Sequence, residues 1–116
     1  MFLIVTRSFP PEIGGMQILI GGLANSLNNY DRVKVFADEY ENSKEYDIKT
    51  NLDISRVKGF KIIRKFRKAK MVNDFIKKNK IKAFFADHWK SFEYININNL
   101  NETKKFLLVH SKEINF

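Results

Sequence analysis

Cysteine is missing altogether from the 116 residues. That removes both a disulfide framework and a thiolate metal site, and nothing points to an oxidising compartment, so a cytoplasmic setting is expected. Long apolar runs are missing too. No stretch approaches the roughly 18 to 20 apolar residues that span a bilayer. The first run, Phe2-Leu3-Ile4-Val5-Thr6, ends at Arg7, too early for the apolar segment of a signal peptide. A soluble protein, or one peripheral at the inner face of a membrane, is expected. Histidine is scarce: His88 and His110 stand 22 positions apart and, with scattered carboxylates, match no recognised metal spacing, so no metal site is expected. Neither G-x-G-x-x-G nor the G-x-x-x-x-G-K-[ST] pattern of ATP-binding loops occurs, and no cofactor is expected.

What is present suffices for one modest core. Hydrophobic residues make up 44% of the chain and eleven are Phe, too apolar a composition for a disordered segment. The net charge of +8 is unevenly spread. Residues 1–55 carry five basic and eight acidic side chains, whereas residues 56–82 carry twelve basic side chains against one acid, Asp74.

Periodicity alternates between strand and helix. After the strand at residues 2–6, Met16, Leu19, Ile20, Leu23, Ala24 and Leu27 recur at helical spacing, and the pattern stops near Asn28-Asn29. Residues 33–37 read as a second strand, residues 38–45 as an acidic loop, and residues 46–54 as one or two short strands. Ile62, Ile63, Phe66, Ala69, Val72, Phe75 and Ile76 then mark a basic amphipathic helix across residues 60–79. A strand at 81–86, a short helix starting at Ser91 and a last strand at 106–109 complete the reading. The fold class is therefore α/β, a Rossmann-like parallel sheet flanked by helices. No closing helix follows the last strand, so the domain is expected to be incomplete at Phe116. In such sheets ligands bind outside the carboxyl ends of the strands, where the residue 9–17 turn, Asp87-His88-Trp89 and His110 all fall.

Only two prolines and five glycines occur, and both prolines and two glycines fall within one segment, Phe9-Pro10-Pro11-Glu12-Ile13-Gly14-Gly15-Met16-Gln17. It reads as a sharp turn between strand and helix, with the glycines supplying backbone angles that a Cβ forbids and the helix start directing N–H groups toward a phosphate. Pro-Pro-x-x-Gly-Gly-x-Gln after a first strand resembles the N-terminal, acceptor-side domain of family 4 retaining glycosyltransferases of the GT-B architecture. The strand ending in Val109-His110-Ser111-Lys112-Glu113 resembles the His-Gly-x-Glu segment of the same enzymes, with Ser111 where they carry glycine.

The resemblance implies that residues 1–116 are part of one lobe, with the C-terminal donor-binding domain absent, so that this chain alone does not transfer sugar. In the complete enzyme a sugar would pass from a nucleotide-sugar donor to a glycan or lipid-linked acceptor with retention of configuration. His110 would be the catalytic residue, orienting the donor and stabilising charge as the diphosphate leaves. Gly14 and Gly15 would lie at the diphosphate, Gln17 would face the acceptor and Glu113 would steady His110 or touch the sugar. Each has a plainer alternative: a tight turn for the glycines, a strand-end histidine satisfied by a carbonyl, a solvated Glu113 and an exposed helical Gln17. No role is assigned to Asp87, His88 or Trp89. The basic helix either packs Phe66, Val72, Phe75 and Ile76 on the sheet and leaves its lysines in water, or meets an anionic membrane surface. A non-catalytic module binding nucleic acid or anionic lipid through residues 56–82 is the alternative function, although no nucleic-acid-binding motif accompanies the charge.

Overall fold

The apolar runs FLIV and AFFA become neighbouring inner strands of a five-stranded, all-parallel sheet in a computed structural model that describes residues 1–100 and 102–108. Strands β1 (Phe2–Val5), β2 (Val33–Asp38), β3 (Asp53–Val57), β4 (Ala83–Ala86) and β5 (Lys104–Leu107) lie in the order β3-β2-β1-β4-β5. β1 pairs Phe2 with Val33 and Val5 with Phe36 on one side, and Phe2 with Ala83 and Val5 with Ala86 on the other. Inner parallel strands are covered on both faces, which is why these read as continuous apolar runs. The Rossmann-like α/β fold is therefore the one expected.

Helices α1 (Gly15–Leu27), α2 (Ser43–Lys49) and α3 (Lys61–Lys78) connect the strands, and two 3₁₀ turns, Trp89–Phe92 and Ile97–Leu100, occupy the β4 to β5 crossover. Alternation along the strands divides the core in two. Leu3, Val5, Phe36, Phe84 and Ala86 pack with Ala69, Val72 and Ile76 of α3 and with Ile95 and Leu100. On the opposite face Ile4, Val33, Val35 and Ala37 pack with Phe9, Ile20 and Ala24. Each fully buried Leu, Ile or Phe side chain in these layers contributes about 1.5–3 kcal/mol.

Residues 46–48 are not the strand expected from their alternation. They lie in α2, where Glu45 and Lys49 form an i,i+4 pair at 2.8 Å and Tyr46 turns inward, its ring edge-on to Phe9. Acid in the first turn and base in the last suit the helix dipole, and this outweighs a weak two-residue alternation. The crossover after β4 forms two 3₁₀ turns starting at Trp89 in place of one helix from Ser91. β5 is displaced to Lys104–Leu107, where Phe106 stacks on Phe85 at 5.0 Å.

Two adjacent glycines in α1 have opposite surroundings. A Cβ on Gly21 would stand 2.7 Å from Pro10 Cγ, whereas one on Gly22 would meet nothing within 4 Å. The bare backbone at Gly21 lets the proline loop lie against the helix. Gly21→Ala is therefore expected to destabilise the protein by about 1–3 kcal/mol through overpacking, and Gly22→Ala to stabilise it by about 0.5–1 kcal/mol through helix propensity, both read by urea unfolding.

At the opposite edge of the sheet Asp31 Oδ2 accepts from the Met1 ammonium at 2.6 Å and pairs with Lys82 Nζ at 2.8 Å, while Oδ1 accepts from Arg32 N at 2.8 Å. The Lys82 contact first, then the terminal ammonium and the Arg32 amide, hold this carboxyl well below its ordinary value of 3.8. A depressed carboxylate stabilises the fold above its unfolded pKa, and that contribution is lost as pH falls through the folded value. Asp31→Asn should thus lower stability at neutral pH, and its difference from the parent should shrink progressively below about pH 4, as pH-dependent unfolding would show.

Candidate functional site

From β1 the chain builds outward through β2 and β3, and α3 then carries it back across the other face to β4. The order reverses between β1 and β4, and the crevice at their carboxyl ends is where open α/β sheets take ligands. Four constructions meet along this edge.

The first is a strut. Asp87, following β4, is buried, and its Oδ2 accepts from Thr6 Oγ1 and Arg7 N, both at 3.0 Å, while Oδ1 accepts from Ser91 Oγ at 3.0 Å. With three internal donors, Asp87 joins the ends of β1 and β4. His88 Nδ1 accepts from Lys90 N at 3.1 Å and caps the first 3₁₀ turn. Among the described residues no group of three or more His, Asp or Glu side chains could hold a metal ion.

The second is a clamp. Arg56 on β3 makes a two-pronged contact with Asp47, Nε to Oδ2 and Nη2 to Oδ1, both at 2.9 Å. The same guanidinium donates to the Pro10 carbonyl at 2.6 Å and the Asp38 carbonyl at 3.3 Å, and lies over the Phe9 ring. The planar fork supplies four N–H bonds here, to both carboxylate oxygens and two carbonyls, where an ammonium has three. The proline loop is therefore fixed from β3.

The third is the start of α1. Gly14 lies at φ 168 and ψ 169, extended backbone open to any residue, so its expected need for special angles is corrected. A Cβ there would stand 2.2 Å from Gln17 Oε1, so the Gln17 amide folds over its own helix start and does not project outward. Ile18 N donates to Gly14 O at 3.0 Å, and no side chain caps the helix. The N–H groups of its first turn lack intrahelical acceptors. Gly15 is exposed there.

The fourth is a cavity of about 150 Å³ under the first half of α3. Lys61, Arg64, Lys65, Lys68, Ala69 and Val72 line it, a single helix face at spacings of three and four. This corrects the expected packing of α3. Val72 and Ile76 are buried and Phe75 is half-buried, but Phe66 is 51% exposed, and Ile62 and Ile63 are also exposed. Along the first turns of α3 the cavity-facing stripe carries cations, from exposed Lys61 through half-buried Arg64 and Lys65 to buried Lys68. Lys68 is buried, donating from Nζ to the Thr6 carbonyl at 3.0 Å and pairing with Asp38 Oδ1. Lys65 pairs with Glu93, and that contact raises the lysine pKa.

Of the residues singled out from sequence, Gly14 and Gln17 touch each other and Gly15 opens α1. None of the three lines the cavity. His110 and Glu113 lie outside the described residues. Apolar periodicity that runs on through the whole of α3 conceals the cavity in the sequence. The usable signal was the second stripe, cations at 61, 64, 65 and 68. Comparison with known proteins finds no family model, curated protein or solved structure that matches this chain.

Truncating the strut would leave the Arg7 amide and the Ser91 hydroxyl without their acceptor, while the Thr6 hydroxyl would keep only the Ser8 carbonyl at 2.8 Å. Asp87→Ala is expected to cost about 2–4 kcal/mol, measured by chemical unfolding; a loss below about 0.5 kcal/mol would mean that the strut does not hold the two strands.

Proposed function

We propose that this chain is the N-terminal, acceptor-side lobe of a retaining glycosyltransferase of the GT-B architecture. The observation that carries the reading is the uncapped start of α1 behind Gly14-Gly15, at the carboxyl edge of a Rossmann-like sheet, in a segment with the family's Pro-Pro-x-x-Gly-Gly-x-Gln order. Unpaired N–H groups and the positive helix end favour the diphosphate of a nucleotide sugar. Arg56 supports this by holding the Pro10 carbonyl and with it the loop that delivers the glycines.

In this reading Gly14 and Gly15 approach the donor diphosphate, Gln17 borders the acceptor, and His110 orients the transferred sugar and stabilises the departing charge, with Glu113 beside it. The donor-binding lobe and the transfer itself belong to a protein carrying both lobes. The acceptor is a glycan or a lipid-linked glycan, and the protein works at the cytoplasmic face of a membrane. Exposed Phe60, Ile62, Ile63 and Phe66, with the exposed Arg67 and Lys70 beside them, support a peripheral membrane contact. Among the described residues no helix is long and apolar enough to cross a membrane. The alternative of a basic nucleic-acid module has less support, because Arg56 and Lys68 are committed to internal partners.

The test is turnover in the protein that carries both lobes, with the anomeric configuration of the product followed by NMR. Retention is expected, and His110→Ala should lower turnover by about a hundredfold or more with the fold intact. Unchanged turnover would sink the assignment.

A further inference from the structure

The cavity beneath the first half of α3 has no task in the transferase reading, and its chemistry is specific. Six cations line it: Arg7, Lys61, Arg64, Lys65, Lys68 and Lys90. Two acids, Asp38 and Glu93, accompany them. Asp38 is already paired with Lys68, and Glu93 with Lys65. Counting the cations other than Lys90, the lining keeps a surplus of three positive charges, or two if Asp87, 3.9 Å from Arg7 Nε, is set against it. Among the described residues Lys61 enters no ion pair.

A second observation is independent of this count. Arg64 Nε is buried and has no hydrogen-bond partner, and its contact with Asp38 Oδ2 is 3.7 Å long, beyond hydrogen-bonding range. A buried donor without an acceptor carries a desolvation penalty that an anion in the cavity would remove. The inner wall is apolar, formed by Val5, Ala69, Val72 and Ile95, which lowers the local dielectric and strengthens any charge contact made there.

Size narrows the ligand. A volume of about 150 Å³ equals roughly five liquid-water volumes at about 30 Å³ each, so it encloses about five non-hydrogen atoms. That is one phosphate group, with whatever bears it left outside the rim. A phosphate also presents enough oxygens to meet cations converging from α3, the end of β1 and the segment after β4, where a carboxylate offers two. The place agrees, because the cavity opens beside the β1/β4 switch point.

We propose that this cavity binds the terminal phosphate of a phosphorylated ligand, with Lys61 and Arg64 as its principal donors. The site is distinct from the Gly14-Gly15 turn, which lies with α1 on the opposite face of the sheet, and it does not rest on the transferase reading.

The test is an amide NMR titration of the full chain with inorganic phosphate, at ionic strength held constant with chloride. Saturable shifts are expected at residues 61–68 and 90–91, with a dissociation constant of about 1 mM or tighter. Lys61→Gln combined with Arg64→Gln should weaken binding about tenfold or more. Lys77→Gln combined with Lys78→Gln removes the same charge from the far end of α3 and should leave affinity unchanged, and the spectra themselves report whether each variant is folded. Phosphate shifts no larger than those of chloride, or equal weakening by both double variants, would overturn the proposal. A further arm separates the source of the phosphate. Vesicles containing phosphatidic acid, a phosphomonoester, are compared with vesicles of matched charge containing phosphatidylglycerol, a diester. A preference for the monoester that Lys61→Gln with Arg64→Gln removes supports the site with a lipid headgroup as ligand; equal vesicle binding alongside retained phosphate binding supports it with a soluble phosphomonoester.

Discussion

A parallel sheet buried on both faces dictates most of what happens elsewhere in this molecule. With helices on one side and α3 on the other, the inner strands have almost no place for polar side chains, and Leu3, Ile4 and Val5 alternate between the two cores. Lys34 shows the cost of an exception. Its buried ammonium needs Asp53 Oδ1 at 2.9 Å and Ser55 Oγ at 2.7 Å, both on the neighbouring strand. Polar chemistry is otherwise displaced to the strand ends, where Asp87, Arg56 and Lys68 bind chain segments far apart in sequence.

This displacement changes what the charge of the chain means. Lys34, Arg56 and Lys68 spend their charge on internal partners. The remaining lysines and arginines of α3 split into an outward group among exposed apolar residues and an inward group at the cavity. Formal net charge cannot distinguish the two, because it records neither burial nor direction.

The sheet was legible in the sequence because two-sided burial writes itself as uninterrupted apolar runs, as at residues 2–5 and 83–86. α3 was legible as a helix, but not which face it turns inward. Its outward Ile62, Ile63 and Phe66 join smoothly onto the inward Ala69, Val72 and Ile76 when only spacing is considered. What spacing omits is that the helix outruns the strands it covers. α2 was hidden for a related reason, since a seven-residue helix is too short for periodicity and is held by its Glu45–Lys49 pair, by Arg56 on Asp47 and by one inward tyrosine. The strut at Asp87 is legible only as a polar residue at a strand end, because its partners Thr6 and Arg7 lie 81 and 80 positions away. Gly14 is legible as a glycine in a turn, whereas the Gln17 amide folded against it is a side-chain fact.

The peptide after β1 is gripped from two directions. Lys68 of α3 holds the Thr6 carbonyl, and Asp87 holds the Thr6 hydroxyl and the Arg7 amide. Three residues further on, Arg56 grips the Pro10 carbonyl, and Pro10 in turn abuts Gly21 of α1. Residues 6–10 are thus held in place by α3, β4 and β3 and rest on α1. The layer of α3 and the layer of α1 are therefore joined through five residues of chain as well as through the sheet between them.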